Sequence, residues 1–339
     1  MIHVGLPTMV DVDKDNLPNI IDGNVPKNYE LCKEGDVAFA DASEDTNEVA
    51  KAIEFYNLNG KKVVCGLHTI HGRDNDNKTV VGYKGYAFSS MSFRHQIRRI
   101  AQGTKIYSIN SKNFSECYVG IPSKEEQKKI ADLLHLIDER IATQSKIIED
   151  LKKLKCAISK KLLNDARWNT YRIKDIAQIG RGRVISSTEI STQKHPLYPV
   201  YSSQTSNNGI MGYLDDFMFN GEYITWTTDG ANAGTVFYRK GKFNCTNVCG
   251  TLKIQMEFDA YFVSLALQQA THLYVSSNLA NPKLMNNTMA SIKIRIPNKE
   301  LQIRISKVFK TIDTGISLYE QTMRNFIKQK QYLLCQMFI

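Results

Sequence analysis

The segment Ile121-Pro122-x4-Gln127-x2-Ile130, continued by Leu133-Leu134-x2-Ile137-Asp138-x2-Ile141, decides how this chain is organised because it occurs twice. The second copy is Ile296-Pro297-x4-Gln302-x2-Ile305, continued by Val308-Phe309-x2-Ile312-Asp313-x2-Ile316. The copies lie 175 residues apart and align without a gap. Such a period is too long for a solenoid repeat, so it predicts two related halves, each a globular segment followed by a long helix.

Apolar residues recur at steps of three and four after each copy, which is the spacing of a coiled-coil seam. At 1.5 Å per residue, each helix would be about 60 Å long. Ser123 and Asn298 each follow a proline and provide an N-cap. Lys155 and Lys330 interrupt the two seams at matching positions. The predicted seam and partner-interface residues are Ile130, Leu134, Ile137, Ile141, Leu151, Ile158, Ile305, Phe309, Ile312, Ile316, Phe326 and Leu333.

The segments before the two helices have the pattern of mixed, β-rich domains. Short runs of β-branched and aromatic residues at 37–40, 62–65, 223–226 and 235–238 predict strands, with Gly, Asn and Asp as turns between them. Helices are predicted at 93–101 and 261–270. The predicted domain bounds are 1–120 and 165–296 for the globular segments and 121–164 and 297–339 for the helices. The sequence therefore predicts an α+β fold.

Composition favours a folded, soluble protein. The 339 residues are 42% hydrophobic and 23% charged, and they include no apolar run near the roughly 20 residues that span a bilayer. The N-terminus lacks the basic and apolar regions of a signal peptide. Seven scattered cysteines favour reduced thiols over a disulfide framework. We therefore expect a cytoplasmic protein without a membrane segment.

The net charge of +10 is unevenly distributed. Residues 1–122 carry 14 Lys and Arg against 15 Asp and Glu, whereas residues 164–297 carry 13 against 9 and residues 298–339 carry 7 against 3. A basic surface of this kind is typical of proteins that bind a polyanion, because phosphate contacts release counterions. Charge that only maintains solubility is the alternative.

Known catalytic spacings are missing from the sequence. It has no phosphate-binding Gly-x4-Gly-Lys-Ser/Thr loop, no His-Glu-x2-His helix and no Gly-x-Ser-x-Gly elbow. The tetrad of amino-methyltransferases is also missing, since Asn281-Pro282-Lys283 lacks its second proline. Glu126-Gln127-Lys128 matches only the end of a nuclease metal motif. We therefore expect no catalytic residue in this chain.

Two groups have a spacing that resembles a metal site, namely Cys65-x2-His68-x2-His71 and Cys245-x3-Cys249. Zinc prefers four ligands at helical or knuckle spacing. The first group lies in a predicted strand and turn, and the second has no histidine nearby. Core cysteines and surface histidines are the better interpretation, so no metal site is predicted.

A polar, nearly uncharged stretch at 201–209 carries the amide and hydroxyl groups that read base edges. A basic cluster around Arg94 has the composition of a phosphate clamp. An ordinary surface loop and a solvated helix face are the respective alternatives. The predicted DNA-binding residues are Arg94, His95, Arg98, Arg99, Lys105, Arg183, Ser203, Gln204, Thr205, Asn207, Asn208 and Lys283.

The repeated Pro, Gln, Ile, Ile-Asp and Ile, followed by a lysine-rich coil, resembles the conserved region of the specificity subunit of type I restriction-modification systems. The resemblance covers essentially the whole chain. Further matches are Trp168-x2-Tyr171-Arg172-Ile173-Lys174-Asp175-Ile176-Ala177-x-Ile179, Asn220-Gly221-Glu222-Tyr223-Ile224 and Lys33-x-Gly35-Asp36-Val37-Ala38-Phe39.

The resemblance implies two target-recognition domains separated by two helices that form an antiparallel, pseudo-twofold coiled coil. Each domain would read one half of a split double-stranded DNA sequence, and the coil would fix the gap. The implied partners are two methylation subunits, which use S-adenosylmethionine, and motor-nuclease restriction subunits, which use ATP and Mg. This chain itself would be non-catalytic and would hold no cofactor.

The first half departs from the family pattern. Only 34 residues precede Gly35, whereas Trp168 precedes Gly221 by 53 residues. We therefore expect the first domain to be short at its N-terminus, through a truncated gene, a late start or a shorter variant. Two other classes stay open from the residues alone: a fused restriction-modification or methyltransferase enzyme, and a coiled-coil scaffold that does not bind DNA.

Overall fold

The computed structural model describes residues 8–20, 29–163, 165–276 and 281–338. The chain forms two compact units. Unit 1 contains Met1–Ile147 and Tyr319–Ile339, and unit 2 contains Ile148–Leu318. Each unit therefore combines one globular segment with part of both long helices.

Unit 1 is built on a small mixed sheet. Its elements before the first long helix are β1 (Met9–Asp11), β2 (Val37–Ala40), β3 (Ala42–Ser43), β4 (Ala52–Asn57), β5 (Thr69–Gly72), α1 (Lys84–Ala87), α2 (Met91–Ile100), β6 (Tyr107–Ser108) and α3 (Ser111–Phe114). Four strands form a sheet in the order β1-β4-β2-β5, in which only β1 and β4 are parallel, and β3 pairs with β6. Phe93 and Ile97 of α2 pack against Val37 and Phe39 of β2, which forms one core of the unit.

Two of the three elements predicted in unit 1 are confirmed. The strand predicted at 37–40 is β2, and the helix predicted at 93–101 is α2, capped by the Ser90 hydroxyl, which accepts from the Phe93 N–H. The strand predicted at 62–65 is wrong, because only an isolated bridge between Leu31 and Val64 forms there. The segment around Leu31 pairs with residues 62–65 over too few residues to form a strand ladder.

Unit 2 contains a larger sheet. The first long helix, α4 (Lys124–Leu162), begins in unit 1 and ends in unit 2. The elements that follow it are β7 (Asn169–Arg172), α5 (Ile173–Ile176), β8 (Ala177–Arg181), α6 (Ser187–Ser191), β9 (Tyr198–Tyr201), β10 (Ile210–Leu214), β11 (Phe219–Thr227), β12 (Val236–Cys245), β13 (Cys249–Ile254), α7 (Ala260–Ala270), α8 (Asn286–Ser291), β14 (Lys293–Ile296) and α9 (Lys299–Gln336). Six strands have the order β10-β9-β12-β11-β13-β8, and β14 pairs with β7. The predicted strands at 223–226 and 235–238 and the predicted helix at 261–270 lie in β11, β12 and α7.

The core of unit 2 lies between its sheet and α7. Trp226 of β11 is fully buried, and its Nε1 donates to the Leu284 carbonyl at 2.9 Å. Gly250 of β13 leaves the space for this ring, because a Cβ there would lie 2.2 Å from the indole. Phe262 of α7 belongs to the same cluster as Trp226. Gly250 and Trp226 are thus paired on neighbouring strands, where the glycine leaves room for the indole ring.

In each unit the beginning of one long helix packs beside the end of the other. In unit 1, Ile130 and Leu134 near the start of α4 share a cluster with Leu333 near the end of α9. In unit 2, Ile158 near the end of α4 shares a cluster with Ile305 near the start of α9. The two helices therefore run antiparallel within each unit.

The residues predicted to form the seam all turn away from solvent. Six are buried and six are half-buried. The buried ones are Ile130, Leu134, Ile137, Ile305, Phe309 and Ile316, and the half-buried ones are Ile141, Leu151, Ile158, Ile312, Phe326 and Leu333.

Candidate nucleic-acid interface

The polar stretch predicted at 201–209 is a tight loop between β9 and β10 of unit 2. Its base is closed by the Ser202 N–H, which donates to the Gly209 carbonyl at 2.9 Å. Asn207 and Asn208 have φ of 47° and 54°, a left-handed conformation that Asn tolerates better than most residues. Thr205, Asn207 and Asn208 are exposed at the tip of the loop. With Ser206, which is also exposed, the loop presents two hydroxyls and two amides to solvent.

A buried arginine holds this loop from below. Arg239 of β12 is 3% exposed, and its guanidinium carbon lies 3.6 Å from the ring centroid of Tyr201 and 4.3 Å from that of Phe237. It donates to the carbonyl of Asn208 at 2.9 Å and to the hydroxyl of Thr225 at 3.2 Å. Burial lowers the pKa of Arg239 to about 10, so the group stays charged at neutral pH. The cation between two aromatic faces sets the position of the loop.

Sequence reasoning missed Arg239. It lies in a ten-residue strand beside Lys240 and Lys242 and looks like one more charge on a solvated face. The alternation of the strand was the available signal, because Arg239 shares its face with the apolar residues Phe243 and Cys245. An arginine among buried positions needs a partner.

The turn after β11 lies against the loop, and a third segment pairs with that turn. The Asn232 side chain donates to the Ser203 carbonyl at 3.3 Å, which links the turn after β11 to the loop. The same turn pairs with the segment around Lys283 through an isolated bridge between Asp229 and Lys283. Lys283 is exposed. We call residues 202–209, 229–232 and 281–283 together the loop cluster.

Arg183 is linked to the base of the loop cluster through the segment 245–246. Its N–H donates to the Cys245 carbonyl at 3.2 Å, and the next residue, Thr246, bonds the Ser202 hydroxyl at 3.1 Å. The guanidinium of Arg183 is paired with Glu189, with Nη1 and Oε2 3.0 Å apart. Of the predicted residues of unit 2, Ser203, Gln204, Thr205, Asn207 and Asn208 thus lie in the loop, with the Gln204 side chain bonded to the Ile210 carbonyl, and Lys283 lies in the loop cluster.

In unit 1 the basic cluster on α2 divides into two kinds of residue. Arg94 donates to the carbonyls of Asn47 and Val49 at 2.6 and 2.8 Å, and burial lowers its pKa. This guanidinium thus holds the turn before β4. The other predicted DNA-binding residues of unit 1, His95, Arg98, Arg99 and Lys105, are exposed.

The repeated Asp and Lys form the same contact in each unit. The Tyr86 hydroxyl donates to Asp138 Oδ2 at 2.9 Å, and Lys330 Nζ lies 2.6 Å from Asp138 Oδ1. In unit 2 the Tyr261 hydroxyl donates to Asp313, and Lys155 Nζ lies 2.5 Å from Asp313 Oδ1. Every residue number is shifted by 175, and the two helices exchange roles. Burial and the carboxylate raise the pKa of both tyrosines.

The repeated glutamine attaches each globular segment to its helix. Gln127 is fully buried, accepts from the Val80 N–H at 2.9 Å and donates to the Pro122 carbonyl at 2.8 Å. Gln302 accepts from the Asp259 N–H at 2.8 Å and donates to the Pro297 carbonyl at 2.9 Å. The repeat seen in the sequence is therefore a set of docking contacts made twice.

Two stretches of the chain, residues 14–153 and 166–329, match the model of the type I restriction modification DNA specificity domain. The chain belongs to this family. Its two matched stretches correspond to two recognition domains, as the resemblance in the sequence predicted. The fused-enzyme and scaffold classes are not favoured.

Curated relatives from Mycoplasma pneumoniae carry related names. A putative type I specificity subunit N-terminus is 47% identical over 143 residues, which are 42% of this chain and 76% of that protein. A putative type I specificity subunit is 35% identical over 214 residues, which are 60% of this chain and 78% of that protein. The specificity subunit of the type I restriction enzyme MpnII is 40% identical over 142 residues, 42% of each chain.

Solved structures share the fold of this specificity-domain protein. The S subunit of a type I restriction-modification system from M. genitalium has a TM-score of 0.66 at 18% identity, with 95% of this chain and 87% of that chain covered. A chain from a structure of type I complex assembly and conformational transition has a TM-score of 0.58 at 13% identity, with 96% and 89% covered. The predicted α+β fold with paired long helices is confirmed. None of the helices within the described ranges is long and apolar enough to cross a membrane.

Proposed function

We propose that this chain is the non-catalytic DNA-reading subunit of a cytoplasmic type I restriction-modification complex, and that each unit reads one half of a two-part DNA sequence. The observation that carries the proposal is the duplicated docking contact, Tyr86–Asp138 with Lys330 in unit 1 and Tyr261–Asp313 with Lys155 in unit 2. A duplicated attachment of a globular segment to the same pair of helices is the arrangement expected of two recognition modules on one spacer.

The loop cluster supports base reading in unit 2. Its exposed Thr205, Asn207 and Asn208 offer hydroxyl and amide groups, which pair with base edges in the major groove. Lys283 adds a cation that suits a phosphate. Arg239 holds the loop in one conformation, which lowers the entropy cost of binding. Pre-organised amides beside a lysine favour sequence reading over general attraction to DNA.

The exposed cations of α2 support a phosphate contact in unit 1. Arg98 and Arg99 lie in the last turn of α2, and Lys105 follows it. Such contacts position a protein on the duplex without reading its sequence. Unit 1 would therefore use these residues to anchor its half-site.

The reactions themselves are assigned to partner subunits. Two methylation subunits would bring S-adenosylmethionine, and restriction subunits would bring ATP and Mg. Such partners would methylate an adenine that is flipped out of the duplex. In this proposal the chain selects the DNA sequence and positions the partner subunits on it.

The test is co-expression of the full chain with a type I methylation subunit, followed by mapping of modified adenines in the host DNA. We expect methylated adenines in one asymmetric, two-part sequence, and none when the chain is left out. Methylation without a two-part sequence would refute the proposal. The purified complex should also bind target DNA with a steep salt dependence, since phosphate contacts release counterions.

A parallel incubation distinguishes the enzyme class. The chain alone is mixed with labelled S-adenosylmethionine and DNA, and transfer of label to DNA is counted. We expect label only when the methylation subunit is added. Transfer by the chain alone would show that it is an enzyme.

A further inference from the structure

Three potential ligands of a soft metal ion lie together in unit 1. Cys32, Cys65 and a ring nitrogen of His71 place their ligand atoms within 4.8 Å of one another. Cys32 is buried, Cys65 is half-buried, and the side chain of His71 is 17% exposed. The cluster is therefore largely withdrawn from solvent and yet reachable from one side.

The spacing in the sequence indicates a different combination, Cys65 with His68 and His71, for which no metal site is predicted because it lies in a predicted strand and turn. The structure separates His68, whose side chain is 75% exposed and lies 3.5 Å from Asp41. It adds Cys32 instead, since the Cys32 N–H donates to the Val63 carbonyl at 2.9 Å and draws the two cysteines together.

The distance between the sulfurs suits a shared ion. The Cys32 and Cys65 Sγ atoms are 3.6 Å apart. Two thiolates that each bind a tetrahedral zinc at about 2.3 Å stand about 3.8 Å apart. Disulfide sulfurs are about 2.05 Å apart. The observed distance between the two sulfurs is close to that of two zinc ligands and much longer than a disulfide bond.

His71 is held in the way that metal-binding histidines are held. Its Nε2 lies 2.8 Å from Asp36 Oδ2, and Asp36 is 3% exposed. Asp36 also accepts from Arg73 Nε at 2.9 Å and from the Lys33 N–H at 2.8 Å. A carboxylate that accepts these bonds requires the proton on Nε2, which leaves the lone pair of Nδ1 for a metal. A carboxylate behind the histidine orients the ring and raises its basicity.

The charge of the pocket also suits a dication. A thiol that coordinates a metal ion is deprotonated by it. Two thiolates and a dication are then neutral together, which is what a half-buried site favours.

We propose that Cys32, Cys65 and Nδ1 of His71 bind one zinc ion, with the Glu30 carboxylate or water as the fourth ligand. Glu30 Oε2 lies 3.8 Å from His71 Nδ1, while Oε1 of the same carboxylate pairs with Arg73. The ion ties the segment before β2 to the segment before β5. Its role is structural, because this part of unit 1 has a small core of its own around Val10, Ile53 and Phe55.

The test is a cobalt titration of the reduced full chain, because thiolate ligands give Co²⁺ charge-transfer absorption that zinc displaces. We expect one cobalt per chain, its displacement by equimolar zinc, and a higher melting temperature with zinc. Cys65→Ser and His71→Gln should each lose the band or weaken binding at least tenfold. Asp36→Asn should weaken binding about 10- to 100-fold through the orientation of His71.

Matched cysteine variants provide the control. Cys117→Ser and Cys156→Ser remove thiols outside the cluster and should bind cobalt as the unmodified chain does. Circular dichroism of every variant shows whether the fold is kept, and Cys65 is chosen because it is less buried than Cys32. A reduced, folded chain that takes up no cobalt overturns the proposal. A Cys32–Cys65 disulfide that re-forms in the presence of zinc also overturns it, because a redox pair would then be favoured.

Discussion

The ammonium group of Lys330 in α9 lies 2.6 Å from a carboxylate oxygen of Asp138 in α4. Lys330 interrupts the apolar seam, and Asp138 belongs to the repeated Ile-Asp pair. Lys155 and Asp313 make the same contact in unit 2. A polar residue at a seam position specifies the register of two helices at some cost in stability. Each interruption of the seam therefore fixes where one helix lies along the other.

Replacing Lys330 tests whether its contact with Asp138 stabilises the register of α4 and α9. Lys330→Met leaves the carboxylate of Asp138, 27% exposed, with the Tyr86 hydroxyl but without its cation. We expect the free energy of unfolding to fall by about 1.5–3 kcal/mol, the range for a hydrogen bond to a charged group. Urea unfolding followed by circular dichroism measures it.

The control for this prediction is Lys153→Met, which changes an exposed lysine of α4 in unit 2. Lys153 pairs with Glu149, and their side chains are 68% and 64% exposed. Exposed pairs contribute about 1 kcal/mol or less, so this variant should be nearly neutral. Equal effects of Lys330→Met and Lys153→Met would contradict a specific role for Lys330.

Arg239→Lys tests whether the buried guanidinium shapes the loop cluster. Lysine keeps the charge but loses the planar fork that bonds both Asn208 and Thr225. We expect the half of the DNA sequence read by unit 2 to become degenerate, while the half read by unit 1 is unchanged. Methylation mapping of the co-expressed complex measures both halves at once.

Lys242→Arg is the control for Arg239→Lys, because Lys242 is an exposed cation on the same strand. It should leave the methylated sequence unchanged. An unchanged sequence with Arg239→Lys as well would show that Arg239 has no role in recognition.

Thr205→Ala and Asn207→Gly test base reading directly. Glycine at 207 keeps the left-handed backbone, so the loop shape is preserved while the amide is lost. Each lost base contact should reduce discrimination between the right and the wrong base by about 1–3 kcal/mol. Competition binding with DNA altered at single positions measures this.

Thr170→Ala is a suitable control for the loop variants, since Thr170 is an exposed threonine on β7. It should leave base preference intact. The salt dependence of binding should stay the same in all three variants, because none of them removes a charge. A change in salt slope without a change in preference would assign the loop to general attraction.

Arg98→Gln with Arg99→Gln tests the proposed phosphate contacts of unit 1. Each phosphate contact contributes about 0.9 to the slope of log binding constant against log salt. We therefore expect the slope to fall by up to about 1.8, with the DNA sequence preference unchanged. Filter binding at several salt concentrations measures the slope.

Arg304→Gln removes one exposed arginine of α9, where Arg304 pairs with Glu300. This control should leave the salt slope unchanged. If the Arg98 and Arg99 variant also keeps the slope, these residues face solvent in the DNA complex.

Local sequence pattern predicts the two long helices and the strand at 37–40. The helices at 124–162 and 299–336 lie within the predicted segments because apolar spacing, caps and prolines act over a few residues. The strand at 37–40 was predicted for the same reason, and its alternation and flanking turns are local. The strand at 62–65 was not formed, because a strand also needs a partner elsewhere in the chain.

The duplicated motif, the two halves and the family could be read from the chain alone, since they depend on residue order and spacing. Folding decided the roles of Arg239, Gln127 and the Lys330–Asp138 pair, because each depends on a contact between residues far apart in sequence. Folding also replaced His68 by Cys32 in the thiol cluster. Spacing along the chain identifies candidates, but only burial and distance in three dimensions show which side chains share a charge, a proton or an ion.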